Sequence, residues 1–309
     1  MTARPRKRKK NKPKGLRIIL YSVIIALVLV TILLVLPRDK EEKLAINPSA
    51  TATPIPYIDV PEETIEPRQT PANDKSKPLD DPLPQKEKNR LAIVFDDTGN
   101  SLADLKLLLD LPYPMTFAVL PGLANSRSAS IKAHKAGKEV ILHQPMESLG
   151  GENMGPGGID TTMAVWKMQA VLTDNLDSIE YERGINNHMG SRATADVIVM
   201  DAVMEVLESR HLFFLDSRTT SETLAKDSAR RFQVPFLQRS VFWDNETNKA
   251  YLKEQWEKAV ELSKNQGQAI LIGHAHNAAK IAEVLKENYQ KASRYLDLVY
   301  LSDLLGDNR

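Results

Sequence analysis

Short apolar runs recur through the chain near residues 91–95, 115–119, 139–142, 184–187, 212–215, 234–237, 269–272 and 298–301. Runs of this length, with little alternation, predict strands covered on both faces, as in a parallel sheet. Helical spacing fills most of the gaps. Val165, Met168, Leu172, Leu176 and Ile179 fall three or four apart and predict one apolar helix face. Other helices are predicted from Leu102, over 126–136, and from about Lys249 to Lys264, the last ending before Gly267. Strand and helix in alternation predict an α/β domain with a mainly parallel sheet. Eight strands in about 215 residues suit a barrel or near-barrel.

Five of these runs stop at an acid or a histidine. Ile93-Val94-Phe95 meets Asp96-Asp97, Ile141-Leu142 meets His143, and Gly184-Ile185-Asn186-Asn187 meets His188. Phe214-Leu215 meets Asp216, and Leu271-Ile272-Gly273 meets His274-Ala275-His276. Carboxyl ends of strands in barrels and open parallel sheets face the ligand. Carboxylates and imidazoles at five such ends point to a metal-assisted active site.

Adjacent carboxylates at Asp96 and Asp97 predict a division of labour, one on a metal and the other toward water or substrate; helix capping is the plainer reading of Asp97. Two neutral imidazoles and one carboxylate make a common catalytic zinc shell with a fourth position for water, and His143 and His188 are the best imidazole candidates. Asn186 and Asn187 are candidates for supporting those ligands or donating to substrate. Residues two apart on a strand face one side, so His274 and His276 are expected to line one pocket. Asp216 is a candidate to hold a histidine, and Arg218 to pair with a carboxylate or grip substrate, against a plain loop ion pair. Trp243 offers a sugar-stacking aromatic. His134 and His211 lack a comparable setting and are expected to be structural. The loop of residues 150–158, with five glycines and Pro156, is expected to form a rim of the site. Neither a Gly-x-Gly-x-x-Gly motif after a strand nor a Walker-type Gly-Lys-Thr occurs, which removes support for nucleotide cofactors. A Gly-x-Ser-x-Gly elbow is also missing.

The formal net charge of the 309 residues is only +1, but it is unevenly spread. Nine of the 41 basic residues lie within residues 1–17, uninterrupted by an acid. Residues 18–36 follow without a charge, and as a helix they would extend about 28 Å, close to a bilayer's hydrocarbon thickness. The basic run alone could suggest nucleic acid. Beside the apolar run it reads instead as a flank held in the cytoplasm, with the remainder exported. The apolar run is longer than a cleaved signal core and lacks a small-x-small site, so an uncleaved signal-anchor is expected. Residues 37–88 hold ten of the 18 prolines among polar residues and are expected to form a disordered tether. The folded domain is expected over residues 89–309. No cysteine is present, which excludes disulfides and thiolate metal sites.

The strand-terminal Asp96-Asp97, the His143-Gln-Pro-Met-Glu147 segment, Asn186-Asn-His188-Met-Gly-Ser191, Asp216-Ser217-Arg218 and the late His274 together resemble the NodB-type polysaccharide deacetylases, particularly their divergent branch. The resemblance covers about residues 91–305. It implies a deformed (β/α) barrel and a divalent metal, usually zinc, acting against an N-acetyl carbonyl of an amino sugar. Carried over position by position, Asp96 would be the general base, Asp97, His143 and His188 the metal ligands, and His274 the general acid. The family's main branch places two metal histidines four residues apart, whereas Glu147 stands four after His143. The imidazole pair must then come from separate strands. The expectation is a membrane-anchored, exported hydrolase acting on an envelope or peptidoglycan-type glycan. Two rivals remain open: a silent barrel that binds glycan or an envelope protein, and a metal-dependent hydrolase of another bond.

Overall fold

The computed structural model describes residues 88–306. The expected basic segment, apolar span and all but the last residue of the tether lie outside the described residues, as do residues 307–309.

Among the described residues there are nine strands: β1 (Asn89–Thr98), β2 (Thr116–Val119), β3 (Glu139–Met146), β4 (Glu182–Met189), β5 (Phe213–Asp216), β6 (Phe236–Gln238), β7 (Val241–Phe242), β8 (Gln268–His274) and β9 (Leu296–Val299). They run in the order β6-β5-β4-β3-β2-β1-β8-β7, with β9 on β1. Every pairing is parallel. Between strands lie the helices α1 (Leu102–Leu109), α2 (Ser126–Lys135), α3 (Val165–Ser178), α4 (Val197–Arg210), α5 (Ala225–Arg231), α6 (Lys249–Gln266) and α7 (Ala278–Ala292). The α6 helix ends where Gly267 turns left-handed at φ 80°, a conformation that costs glycine little.

The sheet curls but does not close, because its edge strands β6 and β7 do not pair. The short link between them is fastened at both ends: Arg239 N donates to Asp216 O and Ser240 N to Ile270 O, each at 2.9 Å. The described domain is therefore a half-barrel with a pinned seam rather than a complete ring. Two strand expectations shift accordingly. The run at 234–237 pairs only from Phe236, and β7 was not expected. The run at 298–301 pairs at Leu296–Val299, while Leu301 begins a short 3-10 turn, Leu301–Leu305.

Strand alternation sorts the core into two bodies. Leu91, Ile93, Phe95, Phe117 and Leu142 face the helices. Ala92, Val94, Ala118, Ile141, Leu215, Ile270 and Ile272 fill the barrel interior, where Leu301 and Leu304 join them. Each large side chain so buried contributes about 1.5–3 kcal/mol. Continuing the two-residue period toward the carboxyl ends brings Asp96 after Val94, His143 after Ile141, Ser217 after Leu215 and His274 after Ile272. The apolar column thus ends in a polar layer at the open end.

A candidate metal centre at the strand ends

Register fixes which of these polar groups meet. Asp96 pairs with His274 across β1 and β8, and His143 with Asn186 across β3 and β4. The pairing of β1 with β2 slips between Phe95 and Thr98, a bulge, and Asp97 takes φ 58° there. That conformation costs a residue other than glycine of order 1 kcal/mol. It brings Asp97 onto the side its neighbour already occupies. Adjacent along the chain, the two carboxylates nevertheless converge: both approach His143 Nε2, Asp97 Oδ1 at 3.4 Å and Asp96 Oδ2 at 3.8 Å.

Asp97, His143 and His188 form a tight triangle. His188 Nδ1 lies 3.1 Å from Asp97 Oδ1 and 3.1 Å from His143 Nε2. Asp97 Oδ1 is buried and, despite both imidazoles close by, has no hydrogen-bond partner. Its distances suit ion pairing, but neither ring directs a hydrogen at it. An orphaned buried carboxylate oxygen facing two ring nitrogens is what a cation would satisfy. Tetrahedral zinc ligands at about 2.0–2.2 Å stand roughly 3.3–3.6 Å from one another, close to the spacings found. The donor set fits a divalent metal.

Asn186 organises this layer. Its Nδ2 donates to Asp96 Oδ1 at 2.8 Å and to Ser217 Oγ at 3.1 Å. Because an ionised Asp96 only accepts, Asn186 must turn Oδ1 toward His143 Nδ1, 2.7 Å away. His143 then carries its hydrogen on Nδ1 and presents Nε2 to the triangle. Asn187, the other candidate, faces away: its Oδ1 accepts from Ser217 N and its Nδ2 donates to Met189 O, so it braces the loops.

Charge is strongly coupled here. Burial pushes the Asp97 carboxyl up, but His143 and His188 outweigh that and hold it far below the usual carboxylate range. Burial raises Asp96, with Asp97 adding to the rise against His143, His274 and Asn186. For His143 burial would lower the value, and the Asp96 and Asp97 carboxylates reverse it.

On the opposite wall stands a second pair. Asp244, at the carboxyl side of β7, accepts from His274 Nδ1 at 2.9 Å and from His274 N at 3.0 Å, while Asn277 Nδ2 donates to it at 2.7 Å. Burial depresses His274, but the Asp244 bond and charge prevail and push it up to about 9. Asp244 itself is held low, with burial overcome by the same bond. The sequence held its signal: Val241-Phe242-Trp243 is one more apolar run ending in an acid.

Other candidates lie differently. Asp216 meets no histidine: its oxygens accept from Arg218 N at 2.7 Å and Thr223 Oγ1 at 2.9 Å. Neither does Arg218 form the loop ion pair weighed above; its Nη1 donates to Gln238 Oε1 at 3.3 Å. Glu147 is drawn to the rim, accepting from Thr161 N and Oγ1 at 2.8 and 2.7 Å and pairing with Arg192 at 3.3 Å. It therefore fastens the glycine-rich loop outside the triangle. His276 is exposed in a 3-10 turn beyond β8 rather than on a strand, though its ring centre is 5.5 Å from that of His274. Trp243 is fully buried against Trp256, its Nε1 donating to Leu252 O at 2.9 Å, and so cannot stack on a sugar. His134 stacks on Tyr181 and His211 caps α4, both away from this layer.

A sequence profile described as divergent polysaccharide deacetylase matches residues 93–305, which include every residue of this layer. The chain belongs to that family. An uncharacterised protein of Escherichia coli, YibQ, is 34% identical over 218 residues, 71% of this chain and 68% of its own length. An uncharacterised Haemophilus influenzae protein is 32% identical over 186 residues, 60% of this chain and 66% of that one. Among solved structures, the uncharacterised Agrobacterium tumefaciens protein ATU2773 superposes with a TM-score of 0.66 at 24% identity, covering 72% of this chain and 92% of that chain, and so shares the fold. In this chain the imidazoles of the triangle come from two strands, β3 and β4, and Glu147 accepts from Thr161 and pairs with Arg192 outside it.

Proposed function

We propose that this divergent polysaccharide deacetylase is an active metal-dependent hydrolase that removes N-acetyl groups from amino sugars of an envelope polysaccharide of the peptidoglycan type. The observation that carries the reading is the triangle of Asp97, His143 and His188 around an unsatisfied buried oxygen. These three side chains would hold the ion, with zinc the best match to two imidazoles and a carboxylate. When bound, it supplies Lewis-acid chemistry, acidifying water and polarising a carbonyl.

The protein groups divide the proton traffic. Asp96 Oδ1 is committed to Asn186, so Oδ2 is the atom that takes a proton from the attacking water. Its raised pKa makes it a better base than an ordinary surface carboxylate. As the water oxygen bonds to the acetyl carbon and the carbon–nitrogen bond breaks, the amine needs a proton. His274, with Nδ1 held by Asp244, hands it over from Nε2. Products are acetate and a free amino sugar. Residues 1–36 support a single-pass anchor in the bacterial inner membrane, amino terminus inside, with residues 37–88 carrying the domain toward its substrate on the exported side.

The test is acetate release by the zinc-loaded full-length protein from N-acetylated glycan oligomers. Release is expected in the native protein and lost in Asp96→Asn with the ion retained. No release from any amino-sugar polymer would overturn the reading and leave a binding module.

A further inference from the structure

One buried hydroxyl in the polar layer keeps its hydrogen. Ser217, just past β5, is 1% exposed, against 2% for Asp96 and 2% for His143 in the same layer. A serine hydroxyl carries one donor position beside its acceptor positions. Ser217 Oγ accepts from Asn186 Nδ2 at 3.1 Å, yet among the described residues it donates to no protein group. Other buried hydroxyls spend theirs: Thr98 on Phe95 O, Thr194 on Gly190 O and Ser263 on Val260 O. Ser228 shares the feature, accepting only from Arg231, but it sits on α5, outside this layer. A buried donor without an acceptor is costly, and at a site the acceptor comes from a ligand.

Backbone contacts leave this residue little freedom. Ser217 N donates to Asn187 Oδ1 at 2.9 Å, and Ser217 O accepts from Arg239 Nε at 2.7 Å. The hydroxyl is thereby fixed before any ligand arrives. Its place relative to the base follows from Asn186, whose Nδ2 donates to Asp96 Oδ1 at 2.8 Å and to Ser217 Oγ at 3.1 Å. With the two amide hydrogens about 120° apart, those oxygens stand about 5 Å from each other. The pair cannot bond directly across that span. A substrate group entering between them meets an acceptor on one side and a donor on the other.

We infer that Ser217 is a further catalytic residue, whose hydroxyl donates a hydrogen bond to the acetyl oxygen as negative charge builds on it. The inference rests on the deacetylase reading for the identity of that oxygen. As the water oxygen adds to the acetyl carbon, the carbon–oxygen double bond opens and its electron pair moves onto the oxygen. Ser217 keeps its hydrogen throughout: it stabilises the charge and transfers no proton. A donor already in place acts where charge develops, so its loss falls on kcat rather than on KM.

The test follows hydrolysis by the zinc-loaded full-length protein of N-acetylated glycan oligomers and of the same oligomers carrying N-thioacetyl groups, whose sulfur is a weak acceptor. Ser217→Ala is expected to lower kcat on the acetyl oligomers about 100-fold, with KM within about twofold of native. On the thioacetyl oligomers the same substitution is expected to cost less than about threefold, because the bond it removes is already weak there. Zinc affinity and melting temperature, measured in parallel, are expected to stay at native values. Ser217→Cys keeps a side chain of similar shape with a weak donor, and it carries the same comparison if Ser217→Ala fails to fold. A residue that only braced Asn186 would give equal losses on both substrates, or losses that track zinc affinity. Either result, or a kcat close to native, overturns the role of Ser217 and leaves the deacetylase reading standing. A native protein that hydrolyses neither substrate sinks the deacetylase reading, and this inference with it.

Discussion

His143 on β3 and His274 on β8 stand across the same sheet from each other, and each fastens Nδ1 to a buried partner, yet the partners differ in charge. On the triangle side Asn186 offers a neutral amide oxygen; on the opposite wall Asp244 offers a carboxylate. A neutral amide oxygen fixes the ring and its tautomer while raising its proton affinity less than a carboxylate would, so Nε2 is presented to the triangle as a lone pair. An anionic partner raises proton affinity, so His274 holds its proton to about pH 9. One layer of side chains thus builds a ligand and an acid from the same residue type by changing what stands behind each ring.

Breaking the triangle side should have the largest effect. Asp97→Asn removes the ligand charge and is expected to lower zinc affinity by more than about 100-fold, beyond the 10–100-fold typical of losing an outer partner. Equilibrium zinc titration of the full-length chain checks it. Next comes the acid: His274→Asn is expected to lower kcat/KM about 10²–10⁴-fold while zinc stays bound, read by acetate release with metal analysis. Removing only the partner should matter less. Asn186→Ala is expected to weaken zinc about 10–100-fold, since the ring persists but its orientation does not.

The smallest effect is a shift rather than a loss. With Asp244→Asn, the alkaline limb of kcat/KM is expected to fall from near pH 9 toward His274's ordinary 6.5. Stability follows the same linkage. A histidine raised from 6.5 to about 9 contributes its full stabilisation below pH 6.5 and loses it as the pH rises through 9. Asp244, depressed below 3.8, contributes above that value and loses it as the pH falls through its lower folded value. The stability difference between the native chain and Asp244→Asn should be greatest between about pH 4 and 6.5, and denaturant melts across pH measure it.

Much of this layout could be read from spacing. Strands β1 to β5 and β8 are apolar runs of ordinary length, and their last residues name the polar layer because the carboxyl ends of parallel strands share one face. Asn186 rather than Asn187 was also within reach, since only Asn186 shares the two-residue period with His188. Three features were not. The seam strand β7 is only two residues long, below any periodic window, and β6, expected at 234–237, pairs only over Phe236–Gln238. The bulge that turns Asp97 beside Asp96 depends on a positive φ that aspartate does not announce. Arg239 carried no signal, because nothing in its neighbours reveals Phe242 beneath it.

The account stands on one ion shared by groups from β1, β3 and β4. X-ray absorption at the zinc edge of the loaded full-length protein tests that directly. The account predicts one stoichiometric zinc with nitrogen and oxygen ligands at about 2.0–2.1 Å and the scattering of two imidazole rings, reduced to one in His188→Ala. A chain that retains no stoichiometric zinc, or a zinc whose spectrum is unchanged by His188→Ala, would contradict it.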